Sequence, residues 1–409
     1  HQQMKNIFKG DKAIWYIFIL LLSISLIEVL SAGSYLVMKE GSFTAVIMQQ
    51  VTFAFISLMA AWSIHFIKCY KYKFLLLFGN FFSILFLIVA LVSGQSVNNG
   101  ARWVHIAGIT FQPSEIAKGV LIVGTATLIA NEYKMGKTSA KSLYITTGLS
   151  LVTFLFIVTQ NLSTALIVFA CSYAPFIFFP PPFKAIKKVT TILLGLGLFG
   201  VFCFSLLPKD PDAEIYKNPL MQRVSTWRNR VSGDSFKKTA NPNDFEITDR
   251  NRQVVNARIA IARSHGLGVR PGRSVQRDYL SAAYSDFIYA IIAEELGLAG
   301  CVLVVFLYLF FLYRCIKLAQ QSPTIFPAAL IMGLSIMIVG QAFVNMAVAV
   351  GLGPVTGQTL PLISKGGTSA IITGAYFGMI LSCSREIMKR NSERQQLIAE
   401  ANAQLAAAK

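Results

Sequence analysis

The chain has 409 residues, of which 54% are hydrophobic and only 14% charged, with a net charge of +18. That balance argues against a soluble globular domain, and the lack of glycine-rich alternation argues against an outer-membrane barrel. Six scattered cysteines and four scattered histidines argue against a disulfide framework or a zinc centre.

In chain order, ten apolar runs are read as membrane spans: 14–37, 45–67, 74–94, 113–131, 144–160, 162–180, 188–207, 284–313, 325–350 and 368–384. Each is near the roughly 20 residues that cross a bilayer as a helix. The first run is too long for a cleavable signal peptide and lacks a small-residue exit. Lysine and arginine recur in every second connection: Lys68/Lys71/Lys73, Lys134/Lys137/Lys141, Lys184/Lys187/Lys188 and Arg314/Lys317. Lys5, Lys9 and Lys12 precede the first span, and Arg385, Lys389 and Arg390 follow the last. Basic residues stay cytoplasmic, so both termini are expected in the cytoplasm. Much of the basic surplus is thereby explained without nucleic acid.

The expected fold is an all-α polytopic membrane protein. It divides into a cytoplasmic N-terminal segment (1–13), spans 1–7 (14–207), an extracytoplasmic loop (208–283), spans 8–10 (284–384) and a cytoplasmic tail (385–409). The tail is read as a frayed helix without chemistry. The large loop carries more basic than acidic side chains. It is either a solvated loop or a surface for an anionic, phosphate-bearing ligand. Within it, "RQVVNARIAIARSHG" (Arg252–Gly266) reads as an interfacial helix with Val254, Val255, Ile259 and Ala262 on one face. "VRPGRSVQR" (Val269–Arg277) follows as an arginine-bearing turn that could offer backbone N–H groups to phosphate.

The outer ends of the spans hold the polar groups. Asp286 opens the eighth span, where it can reach water and a headgroup together. Glu294 lies about 12 Å deeper, and Glu294 and Glu295 read as structural acids paired inside the bundle. The fourth span opens with "FQPSEIAKG", with Pro113 in the first turn and Glu115 and Lys118 three apart. That pair is either an intramembrane ion pair or a charged lining to an outer cavity. Arg102 and Trp103 look like interface residues. Gln341 and Asn345 share a face of the ninth span. The loop after it is too rich in glycine and proline to be helical. It is expected to be buried or to line a wet cavity, and offers Thr356, Gln358, Ser364, Lys365, Thr368 and Ser369.

Four stretches together resemble the SEDS family of bacterial division and elongation proteins, the FtsW/RodA group. They are "GARWVHIAGITFQPSEIAK", "RPGRSVQR", "SDFIYAIIAEELGLAG" and "QAFVNMAVAVGLGPVTGQTLPLISKGGTS". "GDKAIW" near the start inclines the reading to the division-type, FtsW branch. The resemblance implies a peptidoglycan glycosyltransferase that polymerises lipid II at the outer face of the bacterial cytoplasmic membrane, at the division septum. A lipid II flippase and an elongation-type polymerase are the rival readings, and a silent division scaffold ranks last.

The family's essential acid falls on Asp286. Its motif residues fall on Arg102, Glu115 and Lys118. With Arg270, Arg273, Gln276, Ser364, Lys365 and Thr368 these form the candidate substrate and diphosphate set. Glu294, Glu295, Gln341, Asn345 and Pro113 are structural candidates. A class B penicillin-binding protein and other division proteins are the implied partners. No cofactor is demanded, although a divalent cation (Mg or Mn) could assist. Three positions depart from the family pattern: Asn161 where aspartate is common, Lys365 where an aromatic or Met is common, and Ser281 in place of proline.

Overall fold

The computed structural model describes residues 9–32, 42–93, 95–97, 100–106, 109–159, 161–207, 252–276, 279–280, 285–353, 355–365 and 367–407. The helices are α1 (Lys12–Ala32), α2 (Phe43–Ile64), a 3-10 helix (Cys69–Leu76), α3 (Phe78–Ser93), α4 (Pro113–Glu132), α5 (Ala140–Val158), α6 (Leu162–Ser172), α7 (Ala174–Phe178), α8 (Phe183–Ser205), α9 (Arg252–Arg263), α10 (Ile288–Gln320), α11 (Ile325–Ala349) and α12 (Thr368–Ala407). Among the described residues, seven helices are long and apolar enough to cross a membrane, or eight with one bent pair. The chain is a polytopic helical membrane protein.

Several spans differ from their sequence outline. The third is the bent pair, a 3-10 helix meeting α3 at 53°. The sixth is shorter and broken at Tyr173, where α6 gives way to α7 with a proline in its first turn. The expected loop at 95–112 contains a short antiparallel sheet, β1 (Gln95–Val97), β2 (Gly100–Ile106) and β3 (Ile109–Phe111), in the order β1-β2-β3. The tail is a continuous part of α12 as far as Ala407.

Burial sorts the helices. The fourth-span window is 89% buried and the ninth 83%, against 6% for Phe183–Ser205. Thus α4 and α11 form the middle of the bundle, and α8 presents its apolar side chains outward, as lipid rather than water requires. The main core joins residues of α1, α4, α10, α11 and α12, with Ala257 and Ala260 of α9 packed against it. The buried residues of α9 are Val254, Asn256, Ala257 and Ala260. Ile259 and Ala262, expected on its apolar face, are exposed. The helix turns its alanines to α10 because only small side chains permit so close an approach.

At one end of the bundle Asp11 caps α1, accepting from the Ala13 and Ile14 amides at 2.9 and 3.2 Å. It also pairs with Arg314 at the far part of α10, and its own amide donates to Ser384 at 2.7 Å. Asp11 therefore ties α1, α10 and α12 together at that end.

At the opposite end α10 is interrupted. Gly297 has φ 65° and ψ −156°, outside helical geometry. A break frees backbone groups that need partners, and the segment after α9 supplies them. The Val269 and Arg270 amides donate to the Glu294 and Glu295 carbonyls, both at 2.9 Å, and the Leu298 amide donates to the Gly266 carbonyl at 3.0 Å. Gly268, at φ 81°, faces Gly297 across this seam. A Cβ on Gly297 would lie 2.6 Å from the Gly266 oxygen and the Gly268 nitrogen. Gly297→Ala combines a disfavoured φ with a backbone clash and is expected to cost about 1–3 kcal/mol or more. Thermal unfolding in detergent with limited proteolysis checks it. A wild-type midpoint and unchanged cleavage of 264–276 would contradict the docking.

Candidate functional site

Asp286 lies in a turn, just before α10 rather than inside it. It is partly exposed, and its carboxylate accepts from the Ser285 hydroxyl at 2.9 Å. Two residues from other elements hold its backbone. Asn345 of α11 donates through Nδ2 to the Asp286 carbonyl at 2.9 Å and to the Gln358 carbonyl at 2.7 Å. Ser364 donates to the Ser285 carbonyl at 2.6 Å and accepts from the Leu360 amide at 2.8 Å. The loop after α11 is buried here, with Gln358, Leu360, Leu362, Ile363 and Ser364 all nearly inaccessible. That meets the requirement for irregular backbone at membrane depth.

Glu115 and Lys118 lie within this structure rather than on an open cavity wall. Pro113 starts α4, where its missing N–H costs nothing. Lys118 is 1% exposed. Its ammonium donates to Glu115 Oε1 at 2.9 Å and to Gln341 Oε1 at 2.5 Å. Two of its three donors are thus engaged inside the protein, by a carboxylate and an amide rather than by a ligand. Gln341 in turn donates to the Thr359 carbonyl at 3.1 Å, and the Tyr376 hydroxyl donates to the Glu115 carbonyl. Of the two readings left open by sequence, the ion pair is the one the geometry supports.

The same loop reaches the turn before α6. Gln358 donates through Nε2 to Thr164 Oγ1 at 2.8 Å, and Asn161 donates through Nδ2 to the same oxygen at 2.7 Å. Asn161 also caps α6, accepting from the Ser163 amide at 3.1 Å. An aspartate could keep the cap, with Thr164 then donating to it instead. Asn161 is 4% exposed, so Asn161→Asp puts a charge out of water and is expected to cost about 1–3 kcal/mol. An unchanged melting temperature would show that the Ser163 and Thr164 donors offset that cost.

Glu294 and Glu295 are fully buried and fasten the arginine-bearing turn. Glu294 accepts from the Ser274 hydroxyl and from the Val275 amide at 3.2 Å, and pairs with Arg263 at 3.3 Å. Glu295 accepts from the Ser274 amide at 3.3 Å and from the Ser31 hydroxyl, whose oxygen accepts from the Gly272 amide at 3.0 Å. These acids tie the outer loop and the end of α1 to the bundle. Held on that base, Arg270 and Arg273 are exposed, whereas Gln276 is buried. Lys365 is partly exposed beside Ser364, and Thr368 is buried at the start of α12. Arg102 lies on β2, but its side chain is outside the described residues, as are Gln160, Ser281 and most of the 208–283 loop.

Sequence reasoning passed over Ser31, Thr164, Ser274 and Tyr376, whose residue types carry no signal by themselves. It also passed over Glu28, where a signal did exist: an acid within an apolar span. Glu28 is fully buried on α1, and neither carboxylate oxygen has a hydrogen-bond partner among the described residues.

A family model for cell cycle proteins of the FtsW, RodA and SpoVE type matches residues 11–389. A probable peptidoglycan glycosyltransferase FtsW from Acinetobacter baylyi is 28% identical over 370 residues, covering 88% of this chain and 84% of that one. One of the same description from Nitrosococcus halophilus is 32% identical over 305 residues, covering 72% and 70%. Among solved structures, a chain of a peptidoglycan synthase complex that coordinates polymerization and crosslinking superposes with a TM-score of 0.70 at 22% identity, covering 92% of this chain and 98% of that one. The rod shape determining protein RodA of Thermus thermophilus gives 0.62 at 22% identity, covering 92% and 97%. At that identity the two structures establish a shared fold.

Proposed function

The chain belongs to the FtsW/RodA/SpoVE family of cell cycle proteins, and from that premise we propose that it is a peptidoglycan glycosyltransferase of the FtsW type, polymerising lipid II with Asp286 as general base. The observation that carries the assignment of the base is a partly exposed carboxylate on a turn whose two flanking carbonyls are both held. Asp286 lies in the same half of the bundle as the exposed Arg270 and Arg273 and the partly exposed Lys365.

The reaction follows from charge. A sugar hydroxyl of the acceptor lipid II attacks the anomeric carbon of the donor glycan. The bond from that carbon to the diphosphate oxygen breaks, and the electron pair leaves with the diphosphate. The hydroxyl proton passes to the Asp286 carboxylate. Arg270, Arg273, Lys365 and Arg102 are the cations assigned to the departing diphosphate. Attack opposite the leaving group inverts the anomeric centre. Diphosphate is already a good leaving group, so the carboxylic acid pair of a glycosidase is not needed. Among the described residues, no group of three or more His, Cys, Asp or Glu is arranged to hold a metal ion.

The lysine-rich connections support an orientation with both termini cytoplasmic and this half of the bundle outside. Likeness to a chain of a synthase complex supports a crosslinking partner, read as a class B penicillin-binding protein. Relatives described as FtsW support work at the division septum with other division proteins. The test is polymerisation of lipid II by the purified chain, with and without the transpeptidase, beside a liposome flipping assay. Glycan strands from either preparation establish the polymerase. Flipping without strands in either would transfer the protein to the transporter class.

A further inference from the structure

We propose that Asn345 and Ser364 are positioning residues for Asp286: they pin the two peptide groups that flank its α-carbon and so give the carboxylate one direction toward the bound acceptor. This rests on Asp286 as the base.

The geometry is specific. A residue's Cα–Cβ direction follows from the peptide planes before and after it, because each plane is rigid. The plane before Asp286 ends in the Ser285 carbonyl, which accepts from Ser364 at 2.6 Å. The plane after it carries the Asp286 carbonyl, which accepts from Asn345 at 2.9 Å. The Ser285 hydroxyl, at 2.9 Å from Asp286 Oδ1, then restricts the side chain itself.

Both positioning groups are themselves fixed. Asn345 is 1% exposed and Ser364 is 3% exposed. The amide nitrogen of Asn345 faces two carbonyl oxygens, those of Asp286 and Gln358. That sets the amide orientation, since an oxygen there would meet two lone pairs. Both of its hydrogens are therefore used. Ser364 donates its one hydrogen to Ser285 and accepts from Leu360 within its own loop. The loop is fixed in turn through Gln358 to Thr164 on α6 and through Thr359 to Gln341 on α11. Ser364 thus acts through Asp286 and has no hydrogen left for a substrate phosphate, contrary to its expectation as a binding residue.

The test compares Asn345→Ala, Ser364→Ala and Ser364→Thr with the wild-type chain in purified lipid II polymerisation, alongside Asp286→Asn and thermal unfolding. A misplacement of about 1 Å costs on the order of 10²-fold in rate. The two alanine variants are expected to lower kcat by about 10- to 100-fold while KM for lipid II stays within about twofold. Ser364→Thr, which keeps the hydroxyl, is expected to recover most of the rate. In the Asp286→Asn background, Asn345→Ala is expected to add little, because a positioning residue has nothing left to position.

Inactive Asp286→Asn beside alanine variants with wild-type kcat would overturn the positioning role and leave the base assignment standing. Near-normal output from Asp286→Asn would overturn the base assignment and the positioning role with it. Alanine variants that raise KM at unchanged kcat would make these residues substrate contacts, also overturning the proposal. If Asn345→Ala does not fold, Ser364→Ala against Ser364→Thr decides it, since a structural role alone predicts melting temperatures that track kcat.

Discussion

Asp286→Asn is expected to lower lipid II polymerisation by about 10²–10⁴-fold, the usual contribution of a positioned general base. Asparagine has nearly the same shape and can still accept from the Ser285 hydroxyl that now meets Asp286 Oδ1 at 2.9 Å. The contacts from Asn345 and Ser364 go to backbone carbonyls and do not depend on the side chain. Folding should therefore be unchanged, and the loss should fall on kcat rather than on KM. Glycan strands resolved on a gel, from protein of matched melting temperature, make the comparison. Near-normal strands from the asparagine variant would remove Asp286 from proton transfer. The carboxylate is partly exposed, so it can be reached without a large rearrangement of the helices around it.

The second large effect lies at Lys118 and is chiefly one of stability. Lys118→Ala leaves the Glu115 carboxylate buried without its cation, and breaking a buried pair in this way costs about 3–5 kcal/mol. Glu115 is 5% exposed and Lys118 1%, so water cannot take over as partner. The loss should spread to activity, because the Lys118 ammonium also holds Gln341, which holds the Thr359 carbonyl next to Gln358. Replacing both charges together, as Glu115→Gln with Lys118→Met, should restore most of the stability, since the desolvation of both ions disappears as well. Chemical unfolding in detergent of the wild type, Glu115→Gln, Lys118→Met and the double variant gives the coupling. A single Lys118→Ala chain as stable as wild type would mean that Glu115 finds another partner, and the tie between α4 and α11 would lose its assigned role.

The turn at Asp286 and the docked segment before it are two ends of one short device. The first part of α10, from Ile288 to the break at Gly297, carries Asp286 just before its start and the Glu294–Glu295 pair near its end. Those acids hold Ser274, Val275 and, through Ser31, Gly272. The exposed arginines of that turn and the carboxylate are therefore set on the same rigid stretch of helix, about two to three turns long at 5.4 Å each. Preorganisation of this kind is what electrostatic stabilisation of a leaving group needs.

Much of this protein was legible in the chain alone. The apolar runs and the cost of acids within them follow from the low polarity of lipid, and the basic residues in alternate connections from the retention of Lys and Arg on the cytoplasmic side, both rules of local sequence; of the ten runs read, seven or eight are helices long and apolar enough to cross a membrane among the described residues. The polar motifs at one end of the bundle were legible for the same reason. Their roles were not. Lys118 reads equally as a ligand contact or an internal tie until Gln341, 223 positions away, is seen to accept its hydrogen. Ser364 reads as a phosphate contact until its hydroxyl is found on the Ser285 carbonyl, and Asn161 reads as a lost acid until Thr164 and Gln358 appear beside it. Whether a polar side chain serves a ligand or the backbone depends on which donors and acceptors remain unspent. That count is closed by partners far apart in the sequence, so only the tertiary structure decides it.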